Sequence, residues 1–283
     1  MKTSTANIKS RPRGRPRDLD KSGPSAKALE KGLVILQQLA TSDGISLNDL
    51  SLDLDMPQST LHRLLDTLQS YGFVTQSKVD ARWSIGIECF RVGSAFPRAA
   101  KVIDLARPVL RNLFVETGET ANLGIMDGSE IVFVAQHETD HAIRAFFRPG
   151  SRSSWHASGI GKVMMAFTPI QQRQQLINGD YSKYTSATLT QTNEFESEFK
   201  RIKAQGYSLD DEERFEGMRC VASPVFNSSG AIAAGISVSG PVSRMKTSNI
   251  EQIARATKLA GYELSRDLGA PKSALALFDS AFG

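Results

Sequence analysis

Residues 46–86 run SLNDLSLDLDMPQSTLHRLLDTLQSYGFVTQSKVDARWSIG, and the order of signals in that stretch decides the fold of the first third of the chain. Ser46 followed three residues later by Asp49 is a capping-box start, which satisfies N–H groups that the first turn of a helix leaves unpaired. Leu47 and Leu50 give that short helix a buried side. Pro57 restarts the chain, and Leu61, Leu64, Leu65 and Leu68 then recur at i, i+3, i+4 and i+7, one face of a second helix. Gln58, Ser59, Thr60, His62 and Arg63 surround the amino-terminal part of that helix, mostly away from the leucine stripe. The helix ends at Tyr71-Gly72, after which Phe73-Val74-Thr75 and Trp83-Ser84-Ile85 bracket a polar turn from Ser77 to Arg82. Helix, tight turn, polar-faced helix and hairpin, in that order, read as a winged helix-turn-helix. Its second helix, with Arg82 on the wing, carries side chains that reach base edges or phosphates in a major groove. A leucine stripe alone more often marks only the core face of a helical bundle; the cap, the turn and the hairpin favour DNA.

A chain of 283 residues leaves, beside a DNA-binding unit of about 70 to 90 residues, a second domain of about 150 to 180. Its 40% hydrophobic and 23% charged residues are ordinary for a globular protein, and no apolar run approaches the roughly 18 residues of a membrane span. No apolar signal sequence opens the chain, and Cys89 and Cys220 are the only cysteines. A reducing, cytoplasmic compartment without disulfides or membrane contact is therefore expected.

The net charge of +4 is unevenly spread. Residues 1–31 hold nine Lys/Arg against three Asp/Glu, whereas residues 32–90 hold only Arg63, Lys78 and Arg82 against Asp43, Asp49, Asp53, Asp55, Asp66, Asp80 and Glu88. The helix-turn-helix is itself acidic, which gives weight to Arg11-Pro12-Arg13-Gly14-Arg15-Pro16-Arg17. That segment resembles an AT-hook. Proline keeps the backbone extended, glycine lets it approach the groove floor, and Arg13 and Arg15 are drawn to the negative potential of a narrow A·T minor groove. The plainer alternative is a solvated basic tail with diffuse attraction to DNA.

These signals divide the chain into a disordered basic arm at 1–24, a winged helix-turn-helix at 25–86, a helical linker region at 87–118, a second domain at 119–270 and a tail at 271–283. The first helix, residues 25–40, is expected to turn Leu29, Leu33, Leu36 and Leu39 under the recognition helix. Pro97 and Pro108 mark a break and a kink or new start in the linker. Strands are predicted over 120–126, 130–136, 141–148, 207–211, 220–226 and 232–239, with hairpin turns at Asp127-Gly128 and Ser228-Ser229-Gly230. Helices are predicted over 159–167, 169–177, 194–205 and 248–268. Mixed order and hairpins give an α+β fold, an antiparallel sheet flanked by helices.

Three enzyme motifs need weighing. His137-Glu138-Thr139-Asp140-His141 spells the H-E-x-x-H zinc-protease pattern, but strand signals on both sides remove the helical spacing that places two histidines on one metal. Ser158-Gly159-Ile160-Gly161-Lys162 evokes a phosphate loop, yet His156 stands where the earlier glycine belongs and Val163 follows the lysine. A Cys220–His156 pair would need a histidine beside an exposed thiolate. No metal or cofactor is expected, and no catalysis.

Residues 25 to about 268 resemble the IclR family of bacterial transcriptional regulators. The likeness rests on Pro57-Gln58-Ser59-Thr60-Leu61-His62-Arg63-Leu64-Leu65 and on three later stretches: His156 to Lys162, Gly206 to Glu213, and Gly217 to Ala222 running on to Ser237-Val238-Ser239-Gly240-Pro241. The resemblance implies a linker helix leading to a GAF-like effector domain, and a dimer or tetramer on a palindromic operator. It further implies, from members that sense glyoxylate or pyruvate, that a small 2-oxo acid lies against Gly159, Ile160, Asp210, Cys220, Ser237 and Ser239. Ala142, Ala145 and Phe146 are candidates for an apolar wall, and Ile160, where the family usually has a smaller residue, is expected to narrow the pocket.

The residues support an anion site on their own chemistry. Backbone N–H groups opening the helix at Ser158 to Gly161 suit a carboxylate, and Ser237 and Ser239 alternate onto one strand face. Each also has a plain reading: Cys220 as core filler, Gly159 and Gly161 as close-packing residues, Asp210 as part of an acidic surface turn. The alternative function is a constitutive A·T-rich DNA-binding architectural protein whose second domain only oligomerises.

Overall fold

A computed structural model describes residues 26–94, 97–145, 147–177 and 181–281, and the chain divides into two compact units, Met1–Ala95 and Phe96–Gly283. The basic arm with Arg13 and Arg15, and Phe146, lie outside the described residues.

In the first unit α1 (Lys27–Leu39), α2 (Leu47–Asp53) and α3 (Gln58–Ser70) precede a hairpin of β1 (Val74–Gln76) and β2 (Trp83–Ile85), and α4 (Ile87–Ser94) follows. Ser46 caps α2: its oxygen accepts from the Asp49 N–H at 3.1 Å while its hydroxyl donates to the Asp49 carboxylate at 2.7 Å. Val74 pairs with Ile85 and Gln76 with Trp83, and Ile45 bridges to Trp83 on the other edge of β2. Ile35, Leu39, Leu50, Leu61, Leu65, Val74 and Trp83 make one core.

The buried face of α1 differs from the expectation. Leu29 is 64% and Leu33 52% exposed, and the core side is Ile35 and Leu39 with Leu36 at its margin. The helix carries two adjacent apolar strips that share Leu36 and Leu39, and the side containing Ile35 faces α3 and the hairpin, leaving Leu29 and Leu33 outside.

The second unit opens with α5 (Pro97–Thr117). Pro97 sits at its start, where an N–H has no partner to lose, and the helix runs on through Pro108 with no new start there. Then come β3 (Thr120–Asp127), β4 (Glu130–His137), β5 (Arg152–Ser154), α6 (Gly159–Phe167), α7 (Ile170–Leu176), α8 (Thr192–Gln205), β6 (Ser208–Asp211), β7 (Met218–Phe226), β8 (Ile232–Pro241), α9 (Ile250–Asp267) and α10 (Lys272–Leu275). The strands form one antiparallel sheet in the order β5-β4-β3-β8-β7-β6, the α+β architecture that the sequence predicts. Val109, Leu110 and Leu113 of α5 and Ile253 and Leu264 of α9 pack with Leu123, Val221, Ile236 and Val238 on one face. Ile160 and Val163 of α6 and Phe195 and Phe199 of α8 pack with Ile131, Phe133 and Ala222 on the other.

Two expectations are corrected here. The described residues of 141–148 form no strand; the edge of β4 is taken by β5, with Glu130 opposite Ser154 and Val132 opposite Arg152. Arg244 instead pins the segment, donating to the Ile143 carbonyl at 2.9 Å. The segment 271–283, expected as a tail, carries α10 and buries Phe278 against Phe226 and Tyr262. No helix among the described residues is long and apolar enough to cross a membrane.

Candidate functional site

Cross-strand register gathers the polar residues of the second unit on one sheet face. Asp210 of β6 stands opposite Cys220 of β7, Cys220 opposite Ser239 of β8, and Ser239 opposite Thr120 of β3. Residues two apart on a strand share a face, so Ser208, Ala222, Ser237 and Asn122 form a second row beside the first. The intervening Val221, Val238 and Ala121 point to the α5 and α9 side.

The start of α6 lies against these rows. Ser158 caps it by accepting from the Gly161 N–H at 3.3 Å, which leaves the Gly159 and Ile160 N–H groups of the first turn for another acceptor. A Cβ on Gly159 would sit 3.0 Å from Cys220 Sγ and 3.2 Å from its carbonyl oxygen, so glycine lets the helix begin this close to β7 without displacing Cys220. At Gly161 a Cβ would run into the Trp155 backbone. Ser208 ties the turn to β6 by donating to the Gly159 carbonyl at 2.6 Å. The Ile160 side chain fills the hollow over Gly124 and Gly235, so that residue faces the site with its backbone. Ala145 is buried and Ala142 exposed.

Charge is concentrated beneath this turn. Lys162 is fully buried and its ammonium meets Glu213, Glu198 at 3.2 Å and the Leu209 carbonyl at 2.7 Å. Burial alone would lower its pKa, but Glu213, Glu198 and Asp210 outweigh that and raise it. Arg201 adds a second cation to Glu198 at 2.8 Å, and the Glu198 pKa falls despite burial. Burial wins at the other two acids: Asp210 is pushed up to about 6 and Glu213 to about 7. Asp210 holds its position by accepting from the Glu213 N–H at 2.8 Å. Burial, with Asp210 next to it, raises the Cys220 thiol to about 11 despite the nearby Ser239 and Ser237 hydroxyls, so it is a neutral thiol at physiological pH.

His156 gives Cys220 no base: its Nε2 meets the Ser182 carbonyl at 3.0 Å and its ring stacks on Tyr184. His137 ends β4 and residues 138–141 are not helical, so the H-E-x-x-H pattern lacks its helix. Among the described residues no group of three His, Cys, Asp or Glu is placed to hold a metal.

Two hydroxyls of the polar rows stand out energetically. Thr120 Oγ1 and Ser237 Oγ are buried without a hydrogen-bond partner, a state that costs about 1–3 kcal/mol each. Sequence reasoning found Ser237 but missed Thr120 and Asn122, as well as Lys162, Glu198 and Glu213. The available signal was polar residues at alternate positions of an otherwise apolar strand, and a lysine inside the apolar run GIGKVMMAF.

On the first unit, Gln58, Ser59, His62 and Arg63 are exposed and Thr60 is half-buried. Gln58 donates to Asn48 Oδ1 at 3.2 Å, and His62 Nδ1 lies 2.9 Å from the Asp66 carboxylate. Arg63 and Thr60 border a groove between α3 and α1, together with Lys27 and Lys31. Those two lysines, one helical turn apart, belong to this basic cluster and not to the arm with which a simple charge count groups them. Arg82 donates to the Gly44 carbonyl at 3.1 Å, anchoring the base of the wing.

Residues 97–266 match the family described as bacterial transcriptional regulator IclR C-terminal, and residues 28–78 match the IclR helix-turn-helix domain. The HTH-type transcriptional regulator BhcR of Paracoccus denitrificans is 43% identical over 267 residues, 93% of this chain and 95% of that protein. The HTH-type transcriptional repressor AllR of Klebsiella pneumoniae is 37% identical over 238 residues, 83% of this chain and 88% of that one. The crystal structure of the Thermotoga maritima IclR superposes with a TM-score of 0.73 at 28% identity, covering 86% of this chain and 99% of that chain.

Proposed function

This chain belongs to the IclR family of bacterial transcriptional regulators, and on that premise we propose that the polar rows under α6 bind a small 2-oxo acid, glyoxylate first and pyruvate next. It is a transcriptional regulator with a helix-turn-helix and an effector domain, and the relatives it matches are named as regulators and repressors, not enzymes.

The observation that carries the effector reading is the meeting of unspent hydrogen-bonding groups at one buried place: the first-turn N–H groups of Gly159 and Ile160, and the Ser237 hydroxyl. A carboxylate satisfies the former, and an oxo group accepts from the serines. Asp210 and Cys220 close the end of the site nearest β6.

On the DNA side, α3 presents Gln58, Ser59, Thr60, His62 and Arg63 to a major groove, with Arg82 on the wing and Lys27 and Lys31 on phosphates. The arm adds Arg13 and Arg15 in a flanking minor groove. Two such units related by a two-fold axis read a palindromic operator, and the exposed Leu29 and Leu33 strip of α1 offers an apolar surface to a second copy in a dimer or tetramer. Effector binding changes DNA affinity because the acid binds one arrangement of that oligomer more tightly than the other.

Thermal unfolding of the full chain with glyoxylate, pyruvate, oxaloacetate, glycolate and an aromatic acid tests this. A ligand at about 100 times its dissociation constant adds roughly 2.7 kcal/mol. A shift with a small 2-oxo acid that is lost in Ser237→Ala and Gly159→Ala is the expected result. Indifference to every acid, with DNA binding intact, would favour a constitutive architectural protein.

A further inference from the structure

We infer that β3 supplies a further effector contact, the Thr120 hydroxyl, which hydrogen-bonds the same ligand oxygen as Ser239. This rests on the 2-oxo acid reading above and extends the site one strand beyond β8.

Thr120 is fully buried, stands directly opposite Ser239 in the antiparallel register, and its Oγ1 has no partner. Opposed residues in such a pair have Cα atoms about 4.5–5.5 Å apart, so two hydroxyls on one face converge on a single acceptor between them. Ser239 accepts from Asn122 Nδ2 at 3.3 Å and makes no hydrogen bond to Thr120, whose Oγ1 is left without a partner. Asn122 in turn meets Gln136 at 2.9 Å, and the Gln136 amide lies 3.1 Å and 3.3 Å from the Phe147 backbone nitrogen and oxygen. That chain of contacts fixes where the Ser239 oxygen sits, beside the Cys220 thiol, and leaves the Thr120 proton directed to something else.

Burial explains why the arrangement points to a ligand. A threonine placed in the sheet only for its β-branched shape would do as well as valine, and valine would avoid the penalty of an unmade hydrogen bond. Thr120 and Ser237 occupy opposite corners of the β3/β8 patch whose other corners are Asn122 and Ser239, and both are orphaned. Two unsatisfied hydroxyls within one patch, next to the Gly159 turn, are what a polar ligand would satisfy.

The test uses the full chain and glyoxylate and pyruvate as probes, with Thr120→Val, Thr120→Ala and Thr120→Ser. Calorimetric titration is expected to show Kd raised about tenfold in the Val and Ala variants and changed less than about threefold in Ser. Without ligand, Thr120→Val is expected to unfold at the wild-type temperature or above, since it removes an unsatisfied group. Sorting of affinity by hydroxyl and not by size supports the contact, and Ala and Ser carry the comparison if Val does not fold. Wild-type affinity in the hydroxyl-less variants overturns it while leaving the 2-oxo acid site in place. If neither acid binds the wild-type protein, both readings fall together.

Discussion

Replacing Asp210 with asparagine should stabilise the second unit above pH 6 and do little near pH 4. The carboxyl is buried, and its pKa in the folded chain is about 6 against an ordinary value of 3.8. Each pKa unit corresponds to about 1.36 kcal/mol, so holding the charged form in the folded state costs about 3 kcal/mol at pH 8. The sign follows from proton binding. Between pH 4 and 6 the folded chain keeps a proton that the unfolded chain has released, so this contribution is fully present below pH 3.8 and is lost as pH rises through 6. Asparagine imitates the neutral acid and still accepts from the Glu213 N–H, which lies 2.8 Å from Asp210 Oδ1 in the wild-type chain. Thermal unfolding of wild type and Asp210→Asn at pH 4.5, 6 and 8 measures the effect, and a gain of roughly 6–12 °C is expected at pH 8 for a unit of this size. A loss at pH 8 would refute the reasoning by showing that attraction to Lys162 outweighs burial, and a gain independent of pH would refute it by showing that the carboxyl titrates alike in folded and unfolded chains. Stability gained this way would come at the expense of effector response, because a costly buried charge is retained where function needs it.

Lys162→Met is expected to destabilise by about 3–5 kcal/mol at pH 8, since it leaves Glu213, Glu198 and Asp210 buried without their shared cation; urea unfolding should show the deficit shrinking toward pH 5 as the raised carboxyls take up protons. Gly161→Ala, which drives a Cβ into the Trp155 backbone, should lower stability by on the order of 3 kcal/mol, whereas Gly159→Ala meets Cys220 Sγ at 3.0 Å and should mainly abolish the effector-induced thermal shift. Arg63→Ala and Lys31→Ala should each weaken operator binding and reduce the salt dependence of log K by about one unit for each phosphate no longer neutralised, without changing the unfolding temperature; an unchanged slope in both would remove the basic cluster from the DNA interface. Removing residues 1–17 should flatten that slope further, and an unaltered slope would leave the arm without a role in DNA binding.

The sequence by itself determined what depends on neighbours along the chain. The Ser46 cap, the Pro57 restart, the leucine period of α3, the alternation of Ser237 and Ser239 in β8 and the glycine turns all act within a few residues, so spacing alone reveals them. The family resemblance likewise rests on short runs such as those at 57–65 and 156–162. What only the tertiary structure decided depends on partners far apart in the chain. Which apolar strip of α1 is buried was settled by the surface of α3 and the hairpin, and so Ile35 went in and Leu29 and Leu33 stayed out. Which segment pairs with the outer edge of β4 was settled by β5, which takes Glu130 to Val132. The row from Asp210 to Thr120 spans four strands drawn from both ends of the domain, and the glutamate partners of Lys162 lie 36 and 51 residues away. Register and burial make those meetings, and neither is written in local spacing: a one-residue slip would turn every hydroxyl of the row to the opposite face, and only packing of the whole sheet against α6 and α9 forbids it.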